Sequence, residues 1–204
     1  MQSRRILALV LALAALTLTA AACSASVSTG SSARPSSGAG KTYTNAQYKF
    51  SITPDPVFEQ GKANDTSAAG SSAVFDIAFA DANGTKVGGS TVDGVQVSVY
   101  KLTRVLKASE IPKLKKEFAG VVNQLMSGLT AGKIVQPLSL AQINGVPGFR
   151  LAYTFKKDTT EIAAITYFLI KGQYEYQLTG QASQQTWPAL SPKLESTVKS
   201  FTVQ

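Results

Sequence analysis

Residues 161–170, EIAAITYFLI, carry apolar side chains on both alternating sets of positions. A strand with one wet face alternates apolar and polar residues, so this stretch reads as a central strand covered on two sides. Lys171-Gly172 then turns the chain into a second strand over residues 174–179. Upstream, residues 149–155 place Phe149, Leu151, Tyr153 and Phe155 on one face, and Asn144-Gly145 joins them to a strand over residues 134–143. Links this short predict a mainly antiparallel sheet.

Further toward the N-terminus, Phe75, Ile77 and Phe79 alternate within residues 74–80, and Val95, Val97 and Val99 within residues 95–102. Asn83-Gly84 marks a turn between them, and Gly88, Gly89 and Gly94 predict a loose connection. Residues 60–72 read as a polar loop, and residues 48–53 as a short opening strand stopped by Pro54 and Pro56.

Two helices are expected. In residues 110–129 the apolar positions Ile111, Leu114, Phe118, Val121, Val122, Leu125 and Leu129 recur every three or four residues; Ser109 is the expected cap, and Pro112 falls in the first turn. A last helix starts near Ser191 with Pro192 at its head and Leu194, Val198 and Phe201 along one stripe. Helices packed on a mainly antiparallel sheet make the fold class α+β, with one domain over residues 43–204.

Before that domain come an export signal and a tether. Arg4 and Arg5 precede an uncharged apolar run, and Ala20, Ala21 and Ala22 lead to Cys23. Thirteen helical residues from Ile6 to Leu18 reach only about 20 Å, short of the ~30 Å hydrocarbon core. Residues 1–22 therefore read as a cleaved signal, and no later stretch is long and apolar enough to span a bilayer. Cys23, the only cysteine, stands where bacterial lipoproteins carry the acylated cysteine of the lipobox, which this segment resembles although Ala20 stands where Leu is usual. Acylation there makes membrane lipid the expected partner and the extracytoplasmic face of the cell membrane the expected location, because each buried methylene contributes about 0.8 kcal/mol. Residues 23–42, rich in Ser, Gly and Ala, read as a flexible tether.

Composition removes several function classes. The 204 residues contain no His and one Cys, which excludes histidine triads, imidazole bases, His-ligated zinc and intrachain disulfides. No cofactor and no metal site is expected. Loss of Arg4 and Arg5 with the signal lowers the formal charge by two, from +8 to +6; export makes an anionic envelope surface, not nucleic acid, the natural counterpart. The densest basic segment, Lys101, Arg104, Lys107, Lys113, Lys115 and Lys116, is the candidate contact. Tyr153, Tyr167, Phe168, Tyr174, Tyr176 and Trp187 are candidate lining for an apolar pocket, or core. Ser196-x-x-Lys199 has a nucleophile–lysine spacing without the partner motifs such enzymes need, and Asp81-Ala-Asn83-Gly84 opens like a calcium loop but has Lys86 and Val92 at positions requiring Gly and Glu.

Tyr48-Lys49-Phe50-Ser51-Ile52 before prolines, Asn144-Gly145-Val146-Pro147-Gly148, and the ending from Lys171-Gly172-Gln173-Tyr174 through Trp187 to Ser200-Phe201-Thr202-Val203 together resemble the LpqN-type lipoproteins of actinobacteria, part of the PsbP-like superfamily. The resemblance implies an α/β/α sandwich and no residue-level catalytic signature; related folds serve as a photosystem accessory subunit, a binder of a nuclear transport GTPase, and envelope lipoproteins. The expectation is a non-enzymatic, membrane-anchored envelope module binding a lipid, polymer or small apolar ligand. The alternatives are a protein-docking accessory subunit of a membrane complex and a hydrolase without histidine.

Overall fold

The computed structural model describes residues 40–65 and 73–204; the signal, Cys23, most of the tether and part of the 60–72 loop lie outside them. Twelve strand segments and two α-helices are described. A small sheet joins β1 (Tyr43–Asn45), β2 (Phe50–Ile52) and β12 (Thr202–Val203), so the opening strand is shorter than expected and the chain's last residues pair with it. The large sheet contains β3 (Phe58–Gln60), β4 (Asn64–Asp65), β5 (Phe75–Asp81), β8 (Gly94–Leu106), β9 (Thr130–Ile143), β10 (Val146–Lys157) and β11 (Thr160–Ser183), paired antiparallel in the order β3-β5-β8-β11-β10-β9, with β4 beside β5. The long strand β9 is the far edge and exposes Ile134, Val135 and Leu140.

β11 is extended over 24 residues, and a straight strand of that length at about 3.3 Å per residue would run roughly 80 Å. It instead folds back at Gly172, whose φ of +65° suits a residue without a Cβ. Thr166 Oγ1 lies 2.9 Å from Thr179 Oγ1, and Gln184 N donates to Glu161 O at 2.8 Å, as in a hairpin. The first arm pairs with β10, from Gly148↔Leu169 to Lys157↔Thr160; the second pairs with β8, from Gly172↔Leu106 to Gln181↔Gly94. The Lys171-Gly172 turn is thus where the sequence puts it, at the centre of the sheet.

Each face of the sheet has its own core. On one, Phe75, Ile77, Phe79, Val95, Val97, Val99, Ile165, Leu169, Tyr176 and Leu178 meet the small sheet and α2 (Trp187–Lys199) through Phe50, Leu190, Leu194, Val198 and Phe201. On the other, Phe149, Leu151, Tyr153, Phe155, Ile162, Phe168 and Ile170 meet α1 (Lys115–Ser127) through Phe118, Val122 and Leu125. This is the α/β/α arrangement, with EIAAITYFLI in its middle layer.

Three local expectations change. The first helix is split: Ala108–Leu114 is a 3-10 segment containing Pro112, and the α-helix starts only at Lys115. Proline has no N–H to donate and its ring crowds the preceding turn. Ser109 is not the cap; the Glu110 carboxylate accepts from Lys107 N at 2.8 Å. The last helix starts at Trp187, four residues earlier than expected, because Pro188 takes the first-turn position that the sequence reading gave to Pro192. The glycine-rich connection is also not loose. Its two-stranded hairpin, β6 (Lys86–Val87) and β7 (Ser90–Thr91), leads to fully buried Asp93. The Asp93 carboxylate accepts from Thr85 N (2.9 Å), Thr186 Oγ1 (3.0 Å) and Ser183 N (2.8 Å), clasping β11 to the start of α2.

Candidate functional site

The six candidate pocket residues do not share a pocket. Tyr153 is buried under α1, and Tyr167, Tyr174, Tyr176 and Trp187 belong to the core on the α2 face. Tyr176 donates to Tyr48 O at 2.8 Å, and its ring packs against Phe50 and Phe201. Burial pushes its hydroxyl up to about 12, and pushes Tyr153 up as well. Arg150 donates from Nε to Tyr167 Oη at 3.2 Å and stacks over that ring. Phe168 lies against Phe118, with ring centroids 5.6 Å apart. These side chains fill space and pair with one another, and Trp187 is the first residue of α2, although the sequence reading starts that helix only near Ser191.

The basic residues are spread along the chain from the end of β8 through the 3-10 segment to the first turn of α1. Lys101, Lys107, Lys113, Lys115 and Lys116 are exposed. Arg104 is set apart from them: its Nη1 lies 2.9 Å from Glu110 Oε1. The Lys107 N–H, then the Arg104 guanidinium, hold the Glu110 carboxyl below its usual range. The other ion pair among the described residues is Lys199–Glu195, on α2. Neither pair uses any of the five lysines, although the charge of Lys107 also acts on Glu110.

A third feature is polar where an apolar core is expected. Side chains on the α1 face alternate along β5, β8 and the second arm of β11 as Asp76; Gln96, Ser98, Tyr100; and Glu175, Gln177, Thr179, Gln181. Register sets them in rows: Tyr100 opposite Glu175, Ser98 opposite both Gln177 and Asp76, and Gln96 opposite Thr179. Glu175 is 2% exposed, and its Oε2 has no hydrogen-bond partner; Gln96 Oε1 is equally buried and unpaired. Burial pushes the Glu175 carboxyl up to about 7. The Tyr100 hydroxyl is raised first by burial, then by the charges of Glu175 and Asp76, while a hydrogen bond with Ser98 works against them. Gln96 Nε2 approaches Asp76 Oδ1 at 3.5 Å. A third buried, unpaired acceptor is Glu117 Oε2 on α1. Nine residues, or about 180° of helix, separate Glu117 from Met126, which packs at Gly132 of β9. Glu117 thus lies on the flank of α1 turned away from β9.

A stripe of this composition accepts hydrogen bonds more than it donates them and contains no cationic side chain. The polar alternation along each strand is legible in the sequence. That three polar faces lie side by side, with Glu175 beneath them, is not. Among the described residues no group of three His, Cys, Asp or Glu side chains is arranged to hold a metal ion. No helix there is long and apolar enough to cross a membrane.

The architecture has solved counterparts. It is similar to CyanoP, the cyanobacterial PsbP of Synechocystis sp. PCC 6803, with a TM-score of 0.55 over 85% of this chain and 98% of that one at 11% identity. It is also similar to LpqN, a protein involved in cell envelope biogenesis of Mycobacterium tuberculosis, with a TM-score of 0.51 over 81% of this chain and 85% of that one at 12% identity. No protein-family model and no curated protein matches the sequence. The chain therefore has the PsbP-like α+β fold, the fold also found in LpqN, and identities this low speak to fold alone.

Proposed function

We propose that this chain is a non-catalytic, lipid-anchored module of the cell envelope, held through acylated Cys23 with its basic segment against an anionic membrane surface. The observation that carries the reading is the exposure of this basic segment: Lys101, Lys107, Lys113, Lys115 and Lys116 all face solvent, and the ion pairs seen among the described residues, Arg104–Glu110 and Lys199–Glu195, involve none of them. The lipobox-like Cys23 and the fold shared with LpqN, a protein of envelope biogenesis, support the address. Two or more acyl chains supply the anchor, while each lysine near an anionic surface adds about 1 kcal/mol that salt screens. Catalysis is disfavoured because the chain has no histidine and its buried polar stripe offers acceptors where developing negative charge needs donors.

The test is sedimentation of the chain carrying Cys23→Ser with phosphatidylglycerol vesicles. Replacing Lys113, Lys115 and Lys116 with Gln is expected to weaken association by roughly 100-fold at low salt, from about 1 kcal/mol per lysine, and by much less at high salt. Unchanged sedimentation at both salt concentrations rejects this contact. Mass spectrometry of the protein extracted from its native membrane checks the anchor independently: an unmodified Cys23 overturns it.

A further inference from the structure

We propose that the polar stripe on the α1 face binds a small organic cation, a ligand carrying an ammonium group together with a further hydrogen-bond donor a few bonds away. The proposal concerns side chains other than Cys23 and the basic segment, and it stands whether or not those lysines meet a membrane.

The first argument is the set of unmade bonds. Buried polar atoms are nearly always paired, because an orphan leaves its lost hydration uncompensated. Here Glu175 Oε2 and Gln96 Oε1 are both orphans, they lie on neighbouring strands of one face, and both are acceptors. What is missing is a set of donors. Glu175 and Gln96 stand at opposite ends of the stripe, since Tyr100, the partner of Glu175, is four residues along β8 from Gln96. At about 3.4 Å per residue their backbones are roughly 14 Å apart, a span that a short chain with a donor at each end approaches once a hydrogen bond of about 2.9 Å is added at either side.

Charge decides between a cation and a neutral polyol. Asp76 and Glu175 stand on either side of β8 and act on the same Tyr100 hydroxyl, so their fields overlap. No lysine or arginine belongs to the stripe; Lys101, next to Tyr100, alternates to the opposite face of β8, and neither ion pair among the described residues involves Asp76 or Glu175. In a chain with a formal charge of +8 these strands place two acidic side chains on one face with no basic one beside them. A primary ammonium brings three donors and the compensating charge, whereas a diol brings donors alone. Asp76, Gln96, Tyr100 and Gln177 are half-buried and form the rim above Glu175.

The test compares two probes of equal length and donor placement that differ in charge, 1,4-diaminobutane and 1,4-butanediol. Each is titrated into the full chain in nonionic detergent at pH 8 and fixed ionic strength, and the side-chain carboxyl carbon resonances are followed by NMR. The diamine is expected to shift Glu175 and Asp76 saturably, with the diol at least tenfold weaker. Glu175→Gln is expected to weaken the diamine at least tenfold, while Glu195→Gln on α2 leaves it unchanged. Should Glu175→Gln fail to fold, Asp76→Asn on the half-exposed rim takes its place with the same expected loss. Equal shifts from the diol would make the stripe a neutral polyol site and overturn the proposal, as would a diamine that leaves Glu175 unmoved.

Discussion

The two arms of β11 share a hairpin, a sheet and a face, yet they differ in what they put under α1. The first arm presents Ile162, Ala164, Phe168 and Ile170, and α1 closes over them through Phe118 and Val122. The second presents Glu175, Gln177, Thr179 and Gln181, which lie away from the helix's apolar stripe. On the opposite face both arms are apolar, with Ile165 and Leu169 on one and Tyr176 and Leu178 on the other. The comparison teaches that one sheet face can be core over half its width and polar recess over the other half.

The largest expected effect breaks the apolar arm. Phe168→Ala removes a side chain 1% exposed that packs on Phe118, and is expected to cost about 3–5 kcal/mol in urea unfolding. A loss under about 1 kcal/mol would mean that α1 does not close tightly over that arm.

The next concerns the polar arm and carries the opposite sign. Glu175 has its carboxyl raised from 4.5 to about 7, so between those values the folded state holds a proton that the unfolded chain has released. Stability from this group is therefore fully present below about pH 4.5, falls as pH rises toward 7, and is flat above. Two to three units at ~1.4 kcal/mol each set the fall at about 3 kcal/mol. Asp76 and Tyr100 stand on the neighbouring strands of this face, Tyr153 is buried on the first-arm side, and Glu117 lies on α1 with Lys115 and Lys116. Glu175→Gln is expected to remove most of the slope and to be more stable than the parent at pH 8. Thermal unfolding at pH 5 and pH 8 measures both; identical slopes in the two proteins would contradict a buried, unpaired carboxyl.

The smallest sharpens the seam between the arms. Thr166 and Thr179 bond across the hairpin at 2.9 Å in a buried setting, and Thr166 has a second contact at 3.4 Å with the Tyr153 hydroxyl. Thr179→Val is expected to cost about 1 kcal/mol, one buried hydrogen bond with a substitute partner at hand. A cost above about 3 kcal/mol would show that the seam, more than the α1 core, holds the arms together.

Much of this was legible before any coordinates. The double apolar face of residues 161–170, the turns at Asn144-Gly145 and Lys171-Gly172, and the alternation of Phe75, Ile77 and Phe79 all read correctly, because each is set by neighbours a few residues away. Pro112 and Pro188 shifted helix starts for an equally local reason that the pattern of apolar residues does not weigh. The aromatic side chains left two readings open, because Tyr153, Tyr174, Tyr176 and Trp187 look the same in sequence whether they line a cavity or fill a core; here Tyr153 and Tyr176 sit in cores on opposite faces, and Tyr174 and Trp187 pack against one of them.

The sequence by itself determined which residues share a face of each strand and helix, since periods of 2 and 3.6 are properties of the backbone. Only the tertiary structure decided that Asp76, Tyr100 and Glu175, separated by up to a hundred positions, meet on one face with acceptor oxygens left bare. Which strands become neighbours, and how far a helix reaches across them, depends on contacts made across the whole chain.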